Sequence, residues 1–229
     1  PAGMVTNVKD DGDCLILNGA KMWITNSPVA DIAVVWAKNE EGEILGMVVE
    51  SDSKGFSAPE MHGKWSLRAS ITGELVFEDV RVPKNQVFPL VRGLKGPLSC
   101  LSKARYGIAW GAIGAGLDCY DTALRYSKER IQFGKPLAAF QLTQKKLAEM
   151  ITELTKAQLL VWRLGTLANN GKATPAQISM AKRNSVITAL NVARESRQIL
   201  GGMGITNEYP IMRHMMNLET VLTYEGTHD

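Results

Sequence analysis

The stretch KARYGIAWGAIGAGLDCYDTALRYSKER, residues 103–130, divides the chain into two kinds of structure. Within it Tyr106, Trp110, Ile113, Leu117, Tyr120 and Leu124 recur at alternating steps of four and three, one stripe of a long helix. Upstream of Pro97 that period is absent. Short β-rich runs take its place: Cys14–Leu17, a hairpin turn at Asn18-Gly19, Lys21–Thr25, Ile32–Trp36, a turn at Glu41–Glu43, Ile44–Val49, Glu74–Phe77, and Val80–Val82 ending at Pro83. Their spacing of roughly ten residues predicts an antiparallel barrel or sandwich.

Downstream the helical period continues. Leu142, Leu147, Met150, Leu154, Val161 and Leu164 mark a second helix that Gly171 terminates. Thr174 as N-cap and Pro175 at the first helical position open a third, which runs through Ile178, Ala181, Ser185, Val192 and Ile199 to Gly201-Gly202. A shorter helix follows from Tyr209 to about Glu219. Long helices joined by short loops predict an up-and-down four-helix bundle. The expected fold class is therefore α+β and multidomain, with a β domain over residues 1–92 and a helical domain over 93–229.

Composition narrows the function classes. With 229 residues and 45% hydrophobic content the chain can bury one good core or two modest ones. A net charge of +3 suits a phosphate-bearing ligand, but there is no dense basic stripe of the kind nucleic acid requires. No apolar run approaches a membrane span. Cys14, Cys100 and Cys119 are far apart and read as packed thiols, and His62, His214 and His228 show no metal spacing. No Ser-His-Asp or Cys-His set is evident. Because the chain opens on Pro1, it reads as part of a longer protein.

Four short stretches could carry chemistry. Gly107, Gly111, Gly114 and Gly116 in the first long helix fit either close helix packing or a ligand lying against the backbone. Gly201-Gly202-Met203-Gly204 follows a helix rather than a strand, so by itself it is a cap and turn and not a phosphate loop. Arg130-Ile131-Gln132-Phe133-Gly134 offers a cation, an amide and an aromatic plane, although arginine is also favoured at a helix C-terminus. Trp23-Ile24-Thr25-Asn26-Ser27-Pro28 reads as a strand end or as a hydroxyl beside a surface for a flat heterocycle.

Six motifs in one order, KMWITN, KARYGIAWG, ERIQFGKPL, QKKLAEM, QILGGMGI and YEGTHD, resemble the acyl-CoA dehydrogenase family over the whole chain. ITNSPVAD, KARYGIAWG, RHMMNLE and YEGTHD look most like its glutaryl-CoA-oxidising branch. The resemblance implies a three-domain FAD enzyme of which this chain spans the middle β domain and the C-terminal bundle. It implies that Glu225 is the catalytic base and that Trp23, Ile24 and Thr25 lie beside the flavin. Arg130, Gln132, Phe133 and Gln141, with Gln198, Ile199, Leu200, Gly201 and Gly202, would reach the FAD of a neighbouring subunit. Thr227, His228 and Asp229 would contact the FAD beside the base. Arg105, Tyr224, Gly226 and Leu98 would line the acyl-CoA site. Some relatives place the base immediately before that arginine, where this chain has Ala104, which cannot accept a proton. An acyl-CoA substrate, electron-transfer flavoprotein and a homotetramer are the implied partners, without nucleic acid or membrane. The implied compartment is the mitochondrial matrix in a eukaryote or the cytoplasm in a bacterium.

Overall fold

The structure is a computed structural model, and it describes residues 3–228. The chain divides into two compact units, residues 1–100 and 101–229.

The first unit holds β1 (Asn7–Asp11), β2 (Cys14–Thr25), β3 (Ile32–Lys38), β4 (Ile44–Glu50), β5 (Phe56–Ser57), β6 (Thr72–Pro83) and β7 (Val87–Arg92). They form one sheet in the order β5-β6-β2-β1-β3-β4-β7. Its pairings are antiparallel except β1 with β3, which meet in parallel at Asn7 and Lys38, so the sheet is mixed rather than purely antiparallel. Met47 on β4 and Phe77 on β6 belong to one buried cluster although three strands separate theirs in the sheet. A flat sheet could not bring them together. It must curl around a shared core that also takes Val8, Leu17, Val35 and Val82.

The expected hairpin at Asn18-Gly19 is not a turn. β2 runs straight through it as one strand with a register shift between Leu17 and Gly19. The Asn18 side chain donates from Nδ2 to Asp79 Oδ1 at 2.9 Å and accepts at Oδ1 from the Asp79 backbone N–H at 3.0 Å. Gly19 adopts φ +130°, and a Cβ there would sit 2.8 Å from Thr6 Cα. Asparagine and glycine build a bulge here. The hairpin lies earlier, where Gly12 at φ +68° and Asp13 join paired Asp11 and Cys14. The two runs 74–77 and 80–82 are likewise one strand, β6.

The second unit contains most of α1 (Lys95–Glu129), a small hairpin of β8 (Ile131–Gln132) and β9 (Lys135–Pro136), then α2 (Gln141–Asn169), α3 (Pro175–Ile199) and α4 (Ile211–Thr223). Gly171 at φ +66° follows α2. At the start of α3, Thr174 Oγ1 accepts from Gln177 N–H and Gln177 Oε1 accepts from Thr174 N–H, a complete capping box. Leu147, Met150, Leu154, Val161 and Leu164 of α2 are buried as their spacing predicts, whereas Leu142 is exposed.

Apart from the buried Ile113, the stripe read along α1 proves to be the flank of its buried face. The deepest line is made of smaller residues: Ala109, Ala112, Gly116, Cys119 and Ala123. A Cβ on Gly116 would lie 2.9 Å from Leu154 Cδ2 and 3.2 Å from Ala189 Cα, so close helix approach explains that glycine. It does not explain Gly107, Gly111 or Gly114, where an added Cβ would meet nothing within 4 Å. Burial, followed by the charge of Asp118, pushes the Cys119 thiol up to about 12. Cys119 should therefore resist a thiol-specific disulfide reagent in the native protein even at pH ~9 and react only on unfolding. Prompt native-state labelling, mapped by mass spectrometry, would contradict this packing.

Candidate active site

Among the described residues of the second unit, the loop after α4 joins strain, charge and an unmet polar group. Glu225 and Gly226 adopt φ +57° and +109°. The left-handed region costs a non-glycine residue about 1–3 kcal/mol and persists only where the surroundings enforce it. Here three cations enforce it through backbone carbonyls. Arg105 Nε, from α1, donates to Glu225 O. Lys182 Nζ, from α3, donates to Leu222 O at 3.3 Å and to Gly226 O at 2.9 Å, and Arg183 Nε donates to His228 O at 3.0 Å. Cations suit this end of α4, where unpaired carbonyls and the helix dipole concentrate negative charge. A Cβ on Gly226 would lie 3.1 Å from Arg105 Nη2, so the arginine and the loop are closely fitted.

What the loop holds out is Glu225. Its Oε2 is buried and takes no hydrogen bond from any described residue, and the same is true of His228 Nδ1. Unsatisfied buried polar atoms are rare and point to a missing partner. Lys182 is only 4% exposed, and burial, with repulsion from Arg105, lowers its pKa while Glu225 opposes the shift. Burial and then Glu225 raise the Tyr224 phenol. Glu225 is thus a half-buried carboxylate, with one oxygen that no described residue hydrogen-bonds, on a loop held by three cations. It is equipped to accept a proton from a ligand.

Most of the other residues named from the sequence fall elsewhere. In the first unit Trp23 sits in a second register shift of β2, between Lys21 and Ile24, at φ +61° and 63% exposed. Ile24 turns toward the β core, while Thr25 is exposed. Leu98 lies near the start of α1 and is half-exposed. In the second unit Arg130, Gln132, Phe133 and Gln141 are exposed around the β8–β9 hairpin, where Phe133 at φ +51° and Gly134 at φ +78° form the tip. Gln198 accepts from Lys146 Nζ at 3.1 Å, which ties the end of α3 to the start of α2. Leu200 is in the core, so only its backbone is available to a ligand, and Gly201 and Gly202 are exposed beside it. Thr227 is exposed within the Glu225 loop, and Asp229 lies outside the described residues. His214 pairs with Asp118 at 2.8 Å and links α4 to α1.

The second-unit residues therefore form two groups. Arg105 and residues 224–228 lie at one end of α1, and the hairpin and residues 198–202 at the other. The helix between Arg105 and Glu129 is about 36 Å long.

Residues 1–80 match the acyl-CoA dehydrogenase middle domain, and residues 92–229 match the acyl-CoA dehydrogenase C-terminal domain. The chain belongs to the acyl-CoA dehydrogenase family. It is similar to glutaryl-CoA dehydrogenase from Mycobacterium smegmatis, with 52% identity and a TM-score of 0.97 over 100% of this chain and 59% of that one, and a second structure described by that name and organism is a complex with FADH2. It is 36% identical to the short-chain-specific acyl-CoA dehydrogenase of Megasphaera elsdenii over 96% of this chain and 59% of that protein. It is 35% identical to subunit CarC of the caffeyl-CoA reductase-Etf complex of Acetobacterium woodii, over 98% of this chain and 61% of that protein. The chain thus spans a little over half the length of these relatives.

Acyl-CoA dehydrogenases are FAD enzymes. In the first unit Trp23 presents bare aromatic surface; in the second Phe133 does so too, Arg130, Gln132 and Gln141 present donors, and His228 Nδ1 has no described partner. Sequence reasoning missed Lys182 and Arg183. The available signal was that Lys182 shares the line of Ile178, Ser185, Ala189 and Val192 on one helix face, where a lysine is out of place.

Proposed function

We propose that the protein carrying this chain catalyses FAD-dependent α,β-dehydrogenation of an acyl-CoA thioester with Glu225 as the base. The observation that carries this reading is the buried Glu225 Oε2, without a hydrogen-bond partner among the described residues, on a left-handed turn held by Arg105, Lys182 and Arg183. A fixed backbone aims its carboxylate. Oε2 takes the proton from the α carbon, and the negative charge that builds on the thioester oxygen needs fixed donors nearby. When bound, FAD supplies the hydride acceptor for the β carbon. Trp23 offers an exposed indole face for a flat ring, with the Thr25 hydroxyl beside it in sequence.

For the substrate we favour glutaryl-CoA, oxidised and then decarboxylated to crotonyl-CoA as in lysine and tryptophan degradation. The 52% identity to the Mycobacterium smegmatis enzyme and the four motifs of that branch support this. A short straight or branched acyl-CoA is the second reading, supported by the Megasphaera elsdenii relative. Electron-transfer flavoprotein is the proposed acceptor, in keeping with the Etf complex of the Acetobacterium woodii relative. A homotetramer is the proposed assembly. Two groups of FAD-facing residues some 36 Å apart along α1 cannot serve one cofactor, which supports two subunits sharing each site. The bacterial cytoplasm or the mitochondrial matrix is the proposed compartment.

Steady-state turnover of the full-length protein on glutaryl-, butyryl- and isovaleryl-CoA, with electron-transfer flavoprotein or O2 as acceptor, tests these assignments. We expect kcat/KM for glutaryl-CoA to exceed the others by at least tenfold, with CO2 released and the flavoprotein preferred over O2. A preference for butyryl-CoA without CO2 release would move the protein to the short-chain reading.

A further inference from the structure

Lys182 is the charged residue on the inward side of α3, among Ala181, Ser185, Val186, Ala189 and Ala193. A lysine buried to this degree is normally paired with a carboxylate. Here both hydrogen bonds from Nζ go to backbone carbonyls, Leu222 O in the last turn of α4 and Gly226 O just beyond Glu225. Capping α4 would require only the first of these bonds. The second crosses to the far side of Glu225, so a single ammonium group closes the turn that contains it. Arg105 holds the intervening Glu225 carbonyl from α1. The charges that act on the lysine are Arg105 and Glu225, and Ser185, one turn along α3, has a buried Oγ with no described partner.

Glu225, a non-glycine residue at positive φ, needs this kind of restraint. Without it, Glu225 would gain by relaxing toward ordinary backbone angles, and its carboxylate would leave the direction in which Oε2 now points. A polar network that costs desolvation yet forms no close ion pair among the described residues is accounted for by the geometry it imposes.

We propose that Lys182 is a positioning residue for the base: by bridging the Leu222 and Gly226 carbonyls it locks the left-handed turn that presents the Glu225 carboxylate. The proposal rests on the reading of Glu225 as the base. It assigns Lys182 no contact with substrate or flavin, so its loss should be felt in kcat and not in binding.

The test uses the full-length flavoenzyme with Lys182→Met, Lys182→Arg and Glu225→Gln, measuring FAD content, Tm, kcat, KM for the acyl-CoA, and exchange of the substrate α proton with D2O. Lys182→Met should keep its FAD and a KM within about threefold of wild type, while kcat and α-proton exchange fall about 10–100-fold, the scale of a misplacement near 1 Å. Lys182→Arg, which keeps the charge and the donors, should recover at least half of that loss on a logarithmic scale. If Lys182→Met does not fold, Lys182→Gln replaces it under the same criteria. Less than a tenfold fall in kcat, a fall matched by FAD loss, no recovery with arginine, or failure of both neutral variants to fold would each overturn the proposal in favour of a purely structural lysine. Glu225→Gln separates the two claims. If it turns over like wild type, the base assignment fails. If it is inactive while Lys182→Met is unaffected, only the role of Lys182 fails.

Discussion

Glu225→Gln is expected to lower kcat by about 10²–10⁴-fold, the range attributed to a positioned general base, while FAD stays bound. Glutamine matches glutamate in shape but cannot accept a proton at the pH of the reaction. The contacts that hold the loop do not involve the Glu225 carboxylate: Arg105 takes the Glu225 carbonyl, Lys182 those of Leu222 and Gly226, and Arg183 that of His228. The left-handed turn should therefore survive, and Tm should move by no more than a few degrees. The position before Arg105 is Ala104, so no second carboxylate stands ready there. Loss of kcat with KM and flavin spectrum retained would place the defect in proton abstraction. Loss of flavin together with activity would instead assign Glu225 a structural role.

The second large effect is on stability and lies where α1, α2 and α3 meet. Leu154 is fully buried, and its Cδ2 lies where a Cβ on Gly116 would come within 2.9 Å. Leu154→Ala should cost about 2–5 kcal/mol, the transfer term plus the cavity left behind. Gly116→Ala should cost about 1–3 kcal/mol by overpacking, because Ala189 Cα is backbone and cannot withdraw as a side-chain tip can. Truncating Leu154 makes room for the new methyl group, so the double variant should be less destabilised than the sum by at least ~0.5 kcal/mol. Urea unfolding of the three variants, followed by far-UV circular dichroism, measures the coupling. Strict additivity would mean that the two residues do not share this contact.

Helices were legible in the sequence because their signals are local. The steps of three, four and seven in 147–164 and the Thr174-Pro175 start depend on neighbours within two turns, and α2 and α3 begin and end close to where those signals lie. The β unit was harder because strand partners are remote. Asn18-Gly19 has the chemistry of a tight turn, yet Asp79, sixty-one residues away, and Thr6 decide that it is a bulge. The same limit hid the β8–β9 hairpin: ERIQFGKPL reads as the end of a helix, and only its fold shows Phe133 displayed at a tip.

The site divides in the same way. Glu225 was singled out by resemblance, and the structure adds why that position is unusual: a non-glycine residue at positive φ with a carboxylate oxygen that no described residue pairs. Lys182 and Arg183 escaped notice because their roles run through carbonyl oxygens, which carry no sequence identity. Any residue could supply Leu222 O or Gly226 O, so no pairing of side chains marks the lysine that holds them.

The central claim is that Glu225 and a bound flavin act together on an acyl-CoA. Anaerobic mixing of the full-length protein with glutaryl-CoA in a stopped-flow spectrophotometer tests it most directly. The account expects rapid loss of the oxidised-flavin absorbance in wild type and at least a hundredfold slower loss in Glu225→Gln. A spectrum unchanged by any acyl-CoA, or bleaching at equal rates in the two proteins, would contradict it.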